Sequence, residues 1–213
     1  MGATQPVITY GLAEYLAFEE GREEKHEYWG GHIFQMAGAS PEHNQICFNV
    51  TGIFARQISP GTCRGYSSDQ KIWIAAAEMS TYADMTVVCG EPRYHAEHAT
   101  LLLNPKVIIE VLSPSTESYD RGEKWGCYRQ LASLTDYLLI SQRRPLIEHY
   151  TRDERAPSWR YVSESDLQGV LEIDSIGCRL ALMEVYSGIV FPPARPPRAA
   201  IEIVPGADGK IDE

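Results

Sequence analysis

Short apolar runs broken by turn residues, with only one long amphipathic repeat, set the pattern of this chain. The densest run is 107–112 (VIIEVL), a mostly β-branched stretch of the kind a sheet buries on both faces. Glu110 sits inside it. Pro114 ends it, because a proline cannot serve a central ladder and biases Ser113 toward an extended conformation. A helix is expected next, and residues 137–141 (YLLIS) read as a second buried strand. Residues 104–141 are therefore expected to form a strand–helix–strand unit.

The rest of the chain divides in the same way. Residues 9–20 predict a short amphipathic helix capped at Thr9, with Leu12, Tyr15, Leu16 and Phe18 as its apolar positions. Residues 27–36 predict a hairpin turning at Gly30-Gly31. Ile46, Val50, Ile53, Phe54 and Ile58 recur at helical spacing behind Ser40 as cap and Pro41 in the first turn. Residues 63–75 and 82–89 read as one strand each. Residues 146–152, 159–162 and 169–173 read as short antiparallel strands, and 180–186 fits either a helix or a loop covering the sheet. One domain is expected over residues 1–191, followed by a Pro-rich connector and small acidic tail over 192–213. The fold class is α/β: a mixed sheet flanked by helices, with an added antiparallel hairpin region.

Composition narrows the function. A formal net charge of −10 argues against coating nucleic acid by bulk electrostatics, while leaving room for a local basic rim. Arg121, Arg129, Arg143 and Arg144 are the expected contributors to such a rim. The five cysteines are scattered without a C-x-x-C pair, which points away from a disulfide framework or structural zinc and toward a reducing compartment. No signal-peptide pattern opens the chain and no run approaches a membrane span, so a cytoplasmic protein with no membrane partner is expected.

Two apolar stretches each carry one acid: Asp84 in YADMTVV and Glu110 in VIIEVL. On neighbouring strands they form a pair of hard oxygen ligands suited to magnesium or manganese. Without a cation or a shared proton the two would repel. Taken singly, each reads better as a solvated acid at a strand end; only the two together bring the ligand reading level with it. Lys124 shares a helix face with Cys127, Tyr128 and Leu131, so its ammonium must snorkel or meet an anion. A surface pair with Asp120, four residues earlier, is the plainer alternative, and Asp120-Arg121-Gly122-Glu123 has the capping-box pattern. Lys71 is the rival for a cationic role. His95-x-x-His98 has a metal-ligand spacing but lies in a polar stretch, so it is a weak zinc candidate. There is no glycine-rich phosphate loop and no G-x-S-x-G elbow.

Two acids with a nearby lysine resemble the PD-(D/E)XK nuclease superfamily, with Ala83-Asp84 and Glu110-Val111-Leu112 in the motif positions. Alanine stands where that pattern has proline, and Leu112 stands where it has lysine. From about residue 9 to 191 the chain is similar to one branch, the Uma-two family of restriction-endonuclease-like proteins. The similarity runs through HEYWGGHI, SPEHNQI, SSDQKIWI, YADMTVV and IEVLSPST…YDRGEKWGCYRQLASLTDYLLIS. Gly30 departs from the acid that many relatives carry.

The resemblance implies a restriction-endonuclease-like fold and a metal-dependent endonuclease. Asp84 and Glu110 would hold Mg2+ or Mn2+, with the Val111 carbonyl as a further ligand, and Lys124 would replace the missing strand lysine. Glu27 would be an extra ligand or an orienting acid, or else a solvated residue beside a turn. His43 would contact a phosphate, or cap its helix or pair with Glu42. The implied partner is nucleic acid, DNA before RNA, and a homodimer would suit cleavage of both strands. Leu112 and the acidic net charge motivate the alternative, a non-catalytic interaction module that keeps the fold. A small-molecule phosphatase or nucleotidase is a second enzymatic alternative.

Overall fold

The computed structural model describes residues 8–59, 61–153 and 155–193. Helix α1 (Leu12–Glu19) starts two residues later than a Thr9 cap would place it: Gly11 caps it, donating its N–H to Glu14 Oε2 at 2.6 Å. The hairpin β1 (His26–Trp29) and β2 (His32–Gln35) turns where expected, with Gly30 and Gly31 at φ values of 54° and 87°. Two consecutive positive φ angles are what a two-residue hairpin turn of this hand demands. Helix α2 (Pro41–Gln57) begins at the expected cap, where Ser40 Oγ accepts the His43 N–H at 3.1 Å. It buries Ile46, Val50, Ile53 and Phe54 along one stripe.

The stretches 63–75 and 82–89 depart from the sequence reading. The first holds two strands rather than one, β3 (Cys63–Ser67) and β4 (Lys71–Ile74); the second is strand β6 (Met85–Cys89), preceded by Tyr82, which ends a further strand, β5 (Met79–Tyr82). In both cases the two strands belong to different sheets. A turn at 68–70 separates the first pair, and Ala83-Asp84 separates the second. Period-two alternation marks extended backbone but not the sheet it joins, so apolar residues on both sides of a crossing read as one strand.

The remaining elements are β7 (Leu101–Leu102), β8 (Val107–Leu112), α3 (Glu117–Tyr119), a π-helical turn (Asp120–Lys124), α4 (Trp125–Tyr128), β9 (Asp136–Ser141), β10 (Ile147–Arg152), β11 (Trp159–Glu164), β12 (Val170–Ile173), β13 (Cys178–Ala181) and α5 (Leu182–Val185). The larger sheet has the order β11-β10-β9-β8-β6-β3, a second the order β2-β1-β5-β4-β7, and β12 pairs with β13 as a separate two-stranded sheet. Only the β8–β9 pair is parallel in the larger sheet; the helical segment between them makes the crossover. This mixed α/β architecture is the expected fold class. The expectation for 180–186 resolves into the end of strand β13 followed by α5.

Strand alternation divides the core in two. Val107, Ile109 and Val111 face α2, β12, β13 and α5, whereas Ile108 and Leu112 face Cys127, Tyr128, Ile72, Ile74 and Met79. One disulfide corrects the cysteine reading: Cys63 and Cys89 are directly opposed on β3 and β6 and are bonded. Widely spaced in sequence, they are brought together by strand register. No helix among the described residues is long and apolar enough to cross a membrane. The expected connector and tail lie outside the described residues from 194 onward.

Candidate metal and catalytic centre

Glu110 points from the middle of β8 into the layer that holds the α3–α4 segment, so an acid enters an otherwise apolar wall. It is 4% exposed. Its Oε1 lies 3.0 Å from Lys124 Nζ and accepts the Tyr128 hydroxyl at 2.9 Å. Both contacts fall on Oε1, leaving Oε2 available to another partner.

Lys124 ends the π-helical turn, a geometry frequent at functional sites. It is as buried as Glu110. Its ammonium donates to the Tyr82 carbonyl at 2.9 Å and pairs with Glu110 at 3.0 Å and Glu27 at 3.2 Å. The pairing with Asp120 suggested by sequence spacing exists but is the longest, at 3.8 Å. Asp120 is not a helix cap. Its backbone N–H donates to Thr116 within a continuous helical segment, and its carboxylate is buried.

Asp84 is not inside a strand. It occupies the crossing between β5 and β6, where the chain passes from one sheet to the other, and its side chain is 20% exposed. Its Oδ2 accepts the Val111 N–H at 2.7 Å, which ties it to the residue after Glu110. Its Oδ1 lies 3.0 Å from His43 Nε2. His43 therefore pairs with Asp84 rather than with Glu42. Glu27, on β1, is buried: Thr81 Oγ1 and the Tyr119 hydroxyl both donate to it, the latter at 2.9 Å.

The electrostatics follow from this crowding. Burial raises the Glu110 pKa well above the ordinary carboxylate range; Lys124 opposes the rise, and Asp120 and Asp84 add to it. Burial likewise raises Asp120. Burial alone would lower Lys124, but Glu110, Glu27 and Asp120 hold it protonated with a pKa well above normal. For His43, burial is outweighed by the Asp84 hydrogen bond and charge, with Asp120 and the Val111 carbonyl adding to the rise. Even with His43 charged, the carboxylates of Glu27, Asp84, Glu110 and Asp120 outnumber the local cations by two.

The structure also separates the lesser candidates. Lys71 lies 5.3 Å from the centre of the Tyr82 ring and forms no ion pair among the described residues. His95 and His98 stack on each other with ring centres 5.2 Å apart, outside any metal-like cluster of described residues. Arg121 is engaged by Glu117 at 2.9 Å and by Glu148, so it is not a free member of a basic rim; Arg129, Arg143 and Arg144 are exposed. Cys47 escaped the sequence reading as a site residue. It lies one turn beyond His43, and the His-x-x-x-Cys spacing on one helix face was the available signal. Tyr119 was equally missed, its link to Glu27 being purely tertiary.

A mixed sheet with buried acids clustered where it meets a second sheet defines a restriction-endonuclease-like α/β protein. The chain belongs to the Uma2 family, described as "Putative restriction endonuclease", whose profile matches residues 12–182. It is 36% identical over 178 residues to the uncharacterised protein slr1290 of Synechocystis sp., covering 84% of this chain and 92% of that one. A second uncharacterised Synechocystis protein, sll1609, is 37% identical over 150 residues, covering 70% of this chain and 84% of the relative. The crystal structure of "a putative nuclease belonging to DUF820" from Anabaena variabilis superposes with a TM-score of 0.69 over 87% of this chain and 100% of that one. At 19% identity that likeness is one of fold.

Proposed function

We propose that this protein is a divalent-metal-dependent nuclease that hydrolyses phosphodiester bonds of nucleic acid, with Asp84, Glu110 and Lys124 at its centre and Glu27 as an orienting acid. One observation carries the reading: the 3.0 Å contact between Lys124 and Glu110, both buried, beside Asp84. Leu112 shares the Glu110 face of the strand and offers no charge, and the Lys124 ammonium reaches the same acid from the following helical segment.

The residues fit a divalent cation. Asp84 is partly open to solvent, Glu110 Oε2 is available, and the local excess of carboxylates is relieved by a cation or by protonation of Glu110. Asp84 and Glu110 would hold Mg2+ or Mn2+, with the Val111 carbonyl as a further oxygen. When bound, the cation supplies Lewis acidity toward a phosphate and lowers the pKa of a coordinated water.

The protein's own part is positional. The Val111 N–H fixes the Asp84 carboxylate, and Tyr128 with Lys124 fixes that of Glu110. Lys124 spends its three N–H donors on Tyr82, Glu110 and Glu27. To meet a developing phosphate charge it would exchange the longest of these, to Glu27, whose other oxygen is already satisfied by Tyr119. DNA is the proposed substrate and a two-fold dimer the proposed form, because cutting both strands of a duplex calls for two centres related by its dyad. The test is cleavage of duplex DNA, single-stranded DNA and RNA with Mg2+ or Mn2+, comparing the wild type with Asp84→Asn. Absence of cleavage of every substrate by folded wild-type protein would remove the nuclease reading.

The saturation of Lys124 favours one second reading, a non-catalytic module in which the cluster only holds the sheets together. Such a module would bind nucleic acid or protein without metal-dependent stabilisation.

A further inference from the structure

We propose that His43, Cys47 and Asp84 form a site for a borderline divalent transition metal such as zinc or cobalt(II), on the α2 face of the larger sheet. The inference rests on the nuclease reading only through the shared Asp84 carboxylate; its other two ligands, His43 and Cys47, lie outside the Asp84–Glu110 pair. His43 and Cys47 are four residues apart on α2 and so project from one helix face. Asp84 meets them from the crossing between β5 and β6, and one potential ligand atom from each residue lies within 4.8 Å of the others.

The spacing suits coordination. Ligands about 2.0–2.3 Å from a common tetrahedral ion stand roughly 3.3–3.8 Å apart. His43 Nε2 and Asp84 Oδ1 are 3.0 Å apart, and Cys47 offers its sulfur within 4.8 Å of the His43 and Asp84 ligand atoms; a common ion would draw the three together by shifts on the order of 1 Å. His43 Nδ1 is buried without a well-formed hydrogen bond among the described residues, the ring otherwise meeting the Val111 carbonyl and, through Nε2, Asp84. The side chains of His43 and Asp84 are 12% and 20% exposed and Cys47 is half-buried, so an ion has a route in.

Chemistry selects the ion. Magnesium takes oxygen ligands and dehydrates reluctantly, whereas an imidazole with a thiolate favours zinc or cobalt(II). Binding would release the Cys47 thiol proton to solvent. The other two free cysteines, Cys127 and Cys178, are buried and outside the cluster, so a sulfur signal can be assigned.

The test is a titration of the full chain with cobalt(II), followed by absorbance. The expected result is a sulfur-to-cobalt charge-transfer band that saturates at one equivalent and resists competition by an equal concentration of magnesium. Cys47→Ser should abolish the band, and His43→Ala should weaken cobalt binding about tenfold or more. Glu110→Gln should leave the band in place. A wild type without the band, a band that survives Cys47→Ser, or displacement of cobalt by equimolar magnesium would each overturn the assignment. The wild-type arms do not depend on any variant folding. An intact band without cleavage in any metal would remove the nuclease reading and keep this site. Magnesium-dependent cleavage with no band would do the reverse.

Discussion

Lys124 and Glu110 face each other at 3.0 Å from different elements, each with a side chain only 5% exposed. An ion pair this deep is held by mutual need: removing one partner strands the other charge in a low-dielectric setting. Lys124 also answers to Glu27 and Asp120, so its loss should be felt by several acids at once.

Lys124→Met keeps most of the stem volume and removes the charge. Cleavage is expected to fall about a hundredfold or more, the scale of losing one transition-state stabiliser. Stability should fall by about 3–5 kcal/mol, the cost of breaking a buried pair. Adding Glu110→Gln should recover part of that loss. Urea unfolding of the single and double variants checks the second point. Near wild-type cleavage in Lys124→Met would reduce this lysine to scaffold.

Magnesium should stabilise the wild type against heat through binding linkage, by about 2.7 kcal/mol at a hundred times its Kd. Glu110→Gln retains the shape and one acceptor but loses the charge, so the fold should persist and the magnesium-induced rise in Tm should shrink. Calorimetry showing equal magnesium affinity in both proteins would exclude Glu110 as a ligand.

A separate acid, Asp136, contributes to the loss of stability in acid. Asp136 is buried between His149 at 2.7 Å, Ser175 at 2.5 Å and Thr135 at 2.6 Å. Burial works to raise its pKa, but these hydrogen bonds and the His149 charge lower it overall. A depressed folded pKa contributes stability above the unfolded value of about 3.9 and loses it as pH falls through the folded value. Asp136→Asn should cost about 2–3 kcal/mol near neutral pH, with the gap to wild type narrowing below about pH 4. A gap that stays constant from pH 7 to strong acid, roughly pH 2, would contradict this.

Nucleic-acid binding, if carried by the exposed Arg129, Arg143 and Arg144, should be weak and fall steeply with salt. Arg143→Glu with Arg144→Glu should weaken it further without a change in Tm. Arg121→Ala should instead lower Tm, because that guanidinium is held by Glu117 and the largely buried Glu148. Tight, salt-insensitive binding would rule out this rim.

By itself the sequence determined the elements whose causes are local. Six residues of mostly β-branched apolar character make β8 a buried strand, Ser40-Pro41 start α2, and Gly30-Gly31 turn the first hairpin. It also marked Asp84, Glu110 and Lys124, because a charge inside an apolar pattern stands out wherever the chain goes. Only the tertiary structure decided what those charges meet. The crossing at Ala83-Asp84 between two sheets is invisible to a two-residue period, and so is the opposition of Cys63 and Cys89 across β3 and β6. Glu27 reaches Lys124 through a sheet that starts near the N-terminus, and His43 with Cys47 reaches Asp84 from the opposite side of β8. The physical reason is that periodicity reports which side of an element is apolar, while the partner across that side is chosen by burial and hydrogen-bond satisfaction over the whole chain.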